Sequence, residues 1–128
     1  MKAKGIYVNL ATSDINKTKQ FFLGIGFELV EDFSDENGIC IKASENIFLM
    51  LMNKAKFNDF TKLGLTNSMK DKEVILSFEL DSIEAVDEIT NKVVEFGGTV
   101  EDPVVYDFMY YRVFKDLDGH HFEVLAFK

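Results

Sequence analysis

Hydrophobic and polar positions alternate along the chain in an order that occurs twice. In residues 5–11 every second side chain is apolar, which is the two-residue period of a β-strand. Residues 13–26 follow with helical spacing, a capping Ser13 or Asp14, and glycines that end the predicted helix. Three further strands are predicted in residues 27–33, 39–43 and 47–52, separated by the turns "SDENG" and "SEN".

The same order begins again after a polar, lysine-rich stretch. The second copy has a predicted strand at 73–80, a capped helix at 81–98, and strands at 99–105, 109–115 and 120–127. Pro103 marks the first of these last three strands as an edge or a bend. The intervening residues, 54–72, are predicted to be a linker with one helical turn around 57–63, or a lid over a site.

This repeat predicts an α+β fold made of two βαβββ modules. We interpret residues 1–128 as a single domain, with module 1 at 4–53, the linker or lid at 54–72, and module 2 at 73–127. Each module should form a curved antiparallel sheet with one helix behind it. The two sheets together should form a trough with the helices on the outside, which is a natural place for a small ligand.

Composition narrows the classes of function. The net charge of −8 argues against nucleic acid as a partner, because such binding needs a concentrated positive patch. The acidic surface has two interpretations, solubility or attraction to a cationic ligand. Cys40 is the single cysteine, so no internal disulfide is possible and a cytoplasmic location is expected. No segment predicts a signal peptide or a membrane span, and no membrane partner is expected.

Two segments carry a resemblance to a known family. The opening "VNLATSDINKTKQFFLGIGFEL" and the closing "FKDLDGHHFEVL" resemble the vicinal oxygen chelate superfamily, which includes glyoxalase I, bleomycin-resistance proteins and extradiol dioxygenases. The resemblance covers nearly the whole chain and is strongest to a glyoxalase-like subgroup without an assigned substrate. It implies the trough-shaped fold and a homodimer.

The resemblance also implies where a metal ion would be held. In metal-using members four inward strand positions supply ligands, and here Tyr7, Met50, Ile75 and Glu123 stand at those positions. Only Glu123 is a usual ligand type, since a thioether suits a hard divalent ion poorly. His121 shares a strand face with Glu123, whereas His120 points to the other face. We therefore predict no metal and no cofactor, with one divalent ion on Glu123 and His121 as the alternative.

Hairpin register suggests another role for Glu123. If "DLDG" is the turn, Arg112 lies opposite Glu123, Phe114 opposite His121 and Lys115 opposite His120. Arg112 and Glu123 would then form an ion pair that either holds the sheet together or binds a ligand. In the second case Arg112 would bind a carboxylate or phenolate, and Glu123 would orient it or act as a catalytic base.

Strand alternation predicts the residues that line the trough. Cys40 is placed on the helix side of its strand, buried and unreactive. Glu79 is either part of the lining or a solvated strand end. The predicted lining of the first module is Tyr7, Asn9, Ile39, Ile41, Phe48, Met50 and Met52, and that of the second is Ser77, Glu79, Tyr110, Arg112, Phe114, His121 and Glu123.

Two functions of different classes follow. The first is a metal-free, bleomycin-resistance-like protein that binds a small cationic or aromatic molecule in this lining. The second is an enzyme, a lyase or isomerase of the lactoylglutathione-lyase kind, with an atypical metal site built on Glu123. A third possibility, a dimeric scaffold with a regulatory partner, has no support in the sequence.

Overall fold

The computed structural model describes all 128 residues, which divide into two compact units, Met1–Thr66 and Asn67–Lys128. Unit 1 contains a single sheet and two helices, and unit 2 contains a single sheet and one helix. None of the helices has the length and apolar character that spanning a membrane requires.

Unit 1 begins with a strand and a capped helix. The Asp14 side chain accepts a hydrogen bond from the backbone N–H of Lys17 at 3.0 Å and so starts the helix, and Phe21 and Phe22 form its buried side. A fully buried side chain of this kind contributes about 2 kcal/mol. The elements are β1 (Ile6–Thr12), α1 (Ile15–Gly24), β2 (Glu28–Leu29), a 3₁₀ turn (Glu31–Phe33), β3 (Gly38–Ser44), β4 (Ile47–Asn53) and α2 (Lys54–Thr61).

Unit 2 repeats this order. Ser82 caps its helix by accepting a hydrogen bond from the backbone N–H of Ala85 at 3.1 Å. The strand predicted at 99–105 is divided into two short strands, and Pro103 lies between them. Proline has no backbone N–H to donate to a neighbouring strand, which accounts for the break. The elements are β5 (Leu76–Glu79), α3 (Ile83–Glu95), β6 (Thr99–Val100), β7 (Val104–Val105), β8 (Met109–Lys115) and β9 (His121–Phe127).

The predicted α+β class with two βαβββ modules is confirmed, with one correction to the sheets. They are mixed and not wholly antiparallel, because β1 runs parallel to β4 and β5 runs parallel to β9. The strand orders are β1-β4-β3-β2 and β5-β9-β8-β6, and β7 also pairs with β8. Within the predicted linker, the single helical turn is in fact the eight-residue helix α2.

One face of each sheet is covered by a helix of the same unit. In unit 1 the hydroxyls of Thr12 and Thr18 are 2.7 Å apart, which places the Thr12 side of β1 against α1. In unit 2 the Tyr110 hydroxyl donates to the Asp87 carboxylate of α3 at 2.5 Å. Because side chains alternate along a strand, these contacts decide which residues lie on the opposite, helix-distal face of each sheet.

Candidate functional site

The helix-distal face of unit 2 carries a polar group centred on Glu123. Ser77 and Glu123 are direct neighbours on β5 and β9, and the Ser77 hydroxyl donates to Glu123 Oε1 at 2.7 Å. Val113 of β8 lies opposite Glu123 on the other side. The serine thus fixes the carboxylate orientation and leaves Glu123 Oε2 available to accept from a ligand.

His121 lies two residues from Glu123 on the same strand and the same face. Its ring nitrogen Nε2 is buried and has no hydrogen-bond partner. Leaving such an atom unpaired costs about 1–3 kcal/mol, so the position favours a ligand group that supplies the missing bond. Lys115 is the cross-strand neighbour of His121, which places a positive charge at this end of the face.

His120 has a different and structural role. Its Nδ1 is 2.8 Å from Asp116 Oδ2, while Asp116 Oδ1 accepts from the backbone N–H groups of Asp118 and His120. Gly119 has a φ of +79°, and a Cβ there would approach the Met69 Cα to 3.1 Å. The two histidines are therefore separate, as the sequence predicted, with His120 in the loop and His121 on the sheet.

This loop overturns the predicted hairpin register. The loop between β8 and β9 is residues 116–120, closed by the Asp116 N–H donating to the His120 carbonyl at 3.4 Å, and the first ladder pair is Lys115 with His121. Arg112 consequently pairs with Val124, and the predicted Arg112–Glu123 ion pair is wrong. A slip of one residue moves every side chain of a strand to the other face.

Tyr110, Arg112 and Phe114 are therefore not on the same face as Glu123. Arg112 donates to the Glu101 carbonyl at 3.0 Å and to the Thr90 hydroxyl of α3 at 3.4 Å. Tyr110 and Phe114 are buried on that same helix-facing side. Burial raises the pKa of Tyr110, and the hydrogen bond to Asp87 and its negative charge raise it further.

The helix-distal face of unit 1 is aromatic and rich in methionine. Tyr7 and Phe48 are neighbours on β1 and β4, and their rings stack at 4.7 Å with an angle of 9°. Tyr7 is 53% exposed, so this ring pair is accessible. The predicted residues Asn9, Met50 and Met52 do lie on this face, and Asn9 donates its side-chain N–H to the Tyr7 carbonyl at 3.1 Å.

Two residues of β3, Ile39 and Ile41, were predicted on the wrong face. A bulge between Lys42 and Ser44 inserts one extra residue, so Ile41 pairs with Leu49 and Ile39 with Leu51 on the helix side. Cys40 is therefore on the helix-distal face, opposite Met50, and not on the helix side. It is buried, as predicted, and burial raises the pKa of its thiol.

An aromatic group in unit 2 was missed by the sequence reasoning. Tyr111 lies on the helix-distal face next to Val113, and its ring is 6.3 Å from that of Tyr106. Tyr106 in turn stacks on Phe108 at 5.6 Å. The density of aromatic residues in "YDFMYY" could have indicated this group, but the incorrect register placed Tyr110 where Tyr111 belongs.

Comparison with known proteins identifies the family. The family model described as "Glyoxalase/Bleomycin resistance protein/Dioxygenase superfamily" matches residues 6–124. The chain belongs to this superfamily. A hypothetical protein from S. aureus is 30% identical and has a TM-score of 0.83, covering 98% of this chain and 95% of that one. No curated protein matches the chain significantly.

Two more distant superfamily structures share the fold. A genomically encoded fosfomycin resistance protein from Listeria monocytogenes is 20% identical, with a TM-score of 0.71 over 98% of this chain and 94% of that one. An antibiotic binding protein from Streptomyces sp. CB03234 is 17% identical, with a TM-score of 0.68 over 99% of this chain and 98% of that one. At these identities the likeness shows the fold alone.

The donor set does not fit the divalent metal that the superfamily resemblance implies. Of the four implied positions only Glu123 carries a usual ligand, and one of its oxygens already accepts from Ser77. No three histidine, cysteine, aspartate or glutamate side chains gather where they could hold one ion. Glu123 and His121 together give two ligands, below the three or four that zinc takes from protein.

Proposed function

We propose that this superfamily member binds a small organic molecule with an aromatic portion and a polar or cationic group, without a divalent metal. The observation that carries the proposal is the polar group of unit 2. There a carboxylate fixed by Ser77 and an unpaired, buried imidazole nitrogen share one sheet face. The pair offers a ligand one acceptor and one ring nitrogen at fixed positions.

Charge supports a ligand that is cationic or donates hydrogen bonds. Glu123 is the carboxylate of this face whose second oxygen remains available, and the chain carries a net charge of −8. An anionic ligand would be repelled by the Glu123 carboxylate and by the net negative charge of the chain. Lys115, the cross-strand neighbour of His121, is a cation on the same face. Arg112 offers no compensation, since its guanidinium bonds to the Glu101 carbonyl on the other face.

The helix-distal face of unit 1 is suited by itself to an aromatic or apolar group. Its stacked Tyr7 and Phe48 provide a flat surface for a third ring, and such stacking contributes about 0.5–1.5 kcal/mol. Met50 lies two residues from Phe48 on β4, and methionine side chains adapt to irregular shapes. Small-molecule recognition also accords with two structures of the same fold, a fosfomycin resistance protein and an antibiotic binding protein.

A binding screen with matched variants tests this proposal. Aromatic amines, aromatic acids and cationic antibiotics are titrated calorimetrically in the presence of EDTA against the protein and against Glu123→Gln, Ser77→Ala and Phe48→Leu. We expect at least one compound to bind the unmodified protein. Glu123→Gln and Ser77→Ala should weaken a ligand held by unit 2, and Phe48→Leu should weaken one held by unit 1. Arg112→Gln is the control, because Arg112 lies on the opposite face and should change stability without changing affinity.

Either of two results would contradict the proposal. One is a screen in which no compound binds at any concentration at which it is soluble. The other is binding that disappears when EDTA is added and returns with a divalent ion. Equal loss of affinity in Arg112→Gln and Glu123→Gln would move the site to the other face of the sheet.

A metal-dependent lyase or isomerase built on Glu123 is the second candidate. It is favoured by one observation, the unpaired Nε2 of His121 two residues from Glu123 on the same face. Its test is isomerase activity toward the hemithioacetal of methylglyoxal and a thiol, with nickel, zinc or manganese added. Activity that needs the ion and is abolished in His121→Ala and Glu123→Gln would replace the first proposal.

We also propose a homodimer and a cytoplasmic location. Both come from the sequence and its resemblance, and analytical ultracentrifugation tests the first of them. A monomer across the full concentration range would contradict the dimer and leave the proposed site within each unit unaffected.

A further inference from the structure

Three aromatic rings of unit 2 form a connected and accessible group. Tyr106 stacks on Phe108 with an interplanar angle of 9° and is tilted by 31° against Tyr111. Phe108 is 61% exposed and Tyr106 is 47% exposed, although aromatic side chains of this size are usually more deeply buried. The backbone holds them there, since Tyr106 N–H donates to the Met109 carbonyl at 2.8 Å to close the turn between β7 and β8.

Two carboxylates act on this aromatic group. The pKa of Tyr111 is raised by partial desolvation, by neighbouring Tyr106, and by the negative charges of Glu123 and Glu101. The backbone places Glu101 in the same region, since its N–H donates to the carbonyl of Val113 at 2.9 Å, two residues from Tyr111 on β8. The register agrees, because Tyr111 is diagonal to Glu123 across β8 and β9.

We propose that Tyr106, Phe108 and Tyr111, together with Glu101 and Glu123, form a subsite for an organic ammonium group. Aromatic faces attract cations through the negative potential of the ring, and neighbouring carboxylates add charge complementarity. This inference rests on the proposed function and deepens it by naming the charge class of the ligand. The subsite lies next to the Ser77–Glu123 pair, so one ligand can engage both through Glu123.

The positive charges of the same region lie at its margins. Arg112 is on the other face of β8, with its guanidinium on the Glu101 carbonyl. Lys115 is at the far end of β8, opposite His121, and Lys128 contacts the region through its backbone N–H, which donates to the Phe108 carbonyl. No salt bridge engages Glu101 or Glu123, so neither carboxylate is neutralised by a lysine or arginine.

The test uses a matched pair of probes. Choline carries a trimethylammonium group, and its uncharged carbon isostere carries a tert-butyl group of the same shape. Both are titrated into the full-length protein while backbone amide NMR shifts are followed. We expect choline to bind several-fold more tightly than the isostere, and the shifts to concentrate at Tyr106, Phe108 and Tyr111.

Substitutions test the contribution of each ring. Tyr106→Leu and Phe108→Leu each replace a ring by an apolar side chain. Each should reduce the affinity for choline about two- to fivefold. Tyr111→Phe keeps the ring face and should have a smaller effect. Phe60→Leu is the matched control, since Phe60 is 65% exposed on α2 of unit 1, outside the subsite, and should leave choline binding unchanged.

Three outcomes would overturn the inference. The first is equal affinity for choline and its isostere, and the second is an affinity that Tyr106→Leu and Phe108→Leu leave unchanged. The third is a dimer, seen by ultracentrifugation, that Phe108→Leu dissociates, because the rings would then be covered by a second copy. A neutral aromatic compound that binds in the earlier screen while choline fails would leave the proposed function standing and refute this subsite alone.

Discussion

The helix-distal faces of the two units share one framework and differ in chemistry. Position by position, Asn9 and Met50 of unit 1 correspond to Ser77 and Glu123 of unit 2, since each pair joins the first and last strand of its unit. In unit 1 the pair gives an amide and a thioether beside a stacked aromatic pair. In unit 2 it gives a hydrogen-bonded carboxylate beside an imidazole.

This difference shows that the repeated framework does not fix the chemistry of its faces. Strand pairing is set by backbone hydrogen bonds and by the helix-side core, whereas the helix-distal positions are free to vary. The face of unit 1 is suited to an apolar or aromatic group, and the face of unit 2 to a polar or cationic one. The carboxylate therefore acts in the proposal as a ligand contact and not as one of several metal ligands.

The largest expected effect concerns the turn that sets the register of unit 2. Asp116→Ala should destabilise the protein by about 3 kcal/mol, because three donors lose a buried acceptor. Asp35, in the turn between β2 and β3 of unit 1, accepts in a similar way from the backbone N–H groups of Asn37 and Gly38 but is exposed. Asp35→Ala should therefore lower the free energy of unfolding, measured by urea denaturation, by clearly less than Asp116→Ala. An equal decrease would contradict the role given to Asp116 in the turn.

Adjacent tyrosines test the register of β8 directly. Tyr110→Phe removes the hydrogen bond to Asp87 and should lower the free energy of unfolding by about 1–2 kcal/mol. Tyr111→Phe, on the helix-distal face, should leave the free energy of unfolding nearly unchanged. The reverse order of effects in thermal or urea unfolding would restore the register that the sequence predicted.

The same tyrosine predicts a loss of stability at alkaline pH. The pKa of Tyr110 is raised in the folded protein by burial and by Asp87, whereas an unfolded tyrosine titrates near pH 10. The neutral phenol is thus favoured by folding, so its stabilisation is complete below about pH 10 and is lost as the pH rises through the folded pKa. Unfolding curves of Tyr110→Phe from neutral to alkaline pH should fall less steeply than those of the unmodified protein.

Prediction from sequence succeeded where a pattern was long and uninterrupted. The module order followed from periodicity and from caps such as Asp14 and Ser82, and the faces of β1, β4, β5 and β9 were correct. The faces of β3 and β8 were not correct, and each error comes from a single residue. A bulge follows Lys42, and His120 joins the loop because Asp116 holds its ring and its backbone N–H.

Neither event has a periodic signal in the sequence. A bulge leaves the alternation on both sides of it intact, and a loop length depends on side-chain bonds that form only after folding. These two errors also decide which predicted site residues lie on the expected face. Ser77, His121 and Glu123 lie on the predicted strand face because their strands have no such interruption. Tyr110 was predicted on the face that Tyr111 in fact occupies.

The smallest effects on stability are expected at two corresponding positions of the two units, Ser77 and Asn9. Ser77→Ala and Asn9→Ala each remove one exposed hydrogen bond and should change the free energy of unfolding by less than about 0.5 kcal/mol. Their effects on choline binding should differ. Ser77→Ala releases the Glu123 carboxylate and should weaken binding, while Asn9→Ala should not, and equal affinities in NMR titrations would argue against a role for Ser77 in positioning Glu123.

Direct titration with metal ions tests the central claim that Glu123 serves a ligand and not a metal. Protein purified without chelators is analysed for bound metal and then titrated calorimetrically with nickel, zinc and manganese, with Glu123→Gln in parallel. The account predicts substoichiometric metal after purification and no saturable binding that distinguishes the variant. One tightly bound ion per chain, abolished in Glu123→Gln, would contradict it.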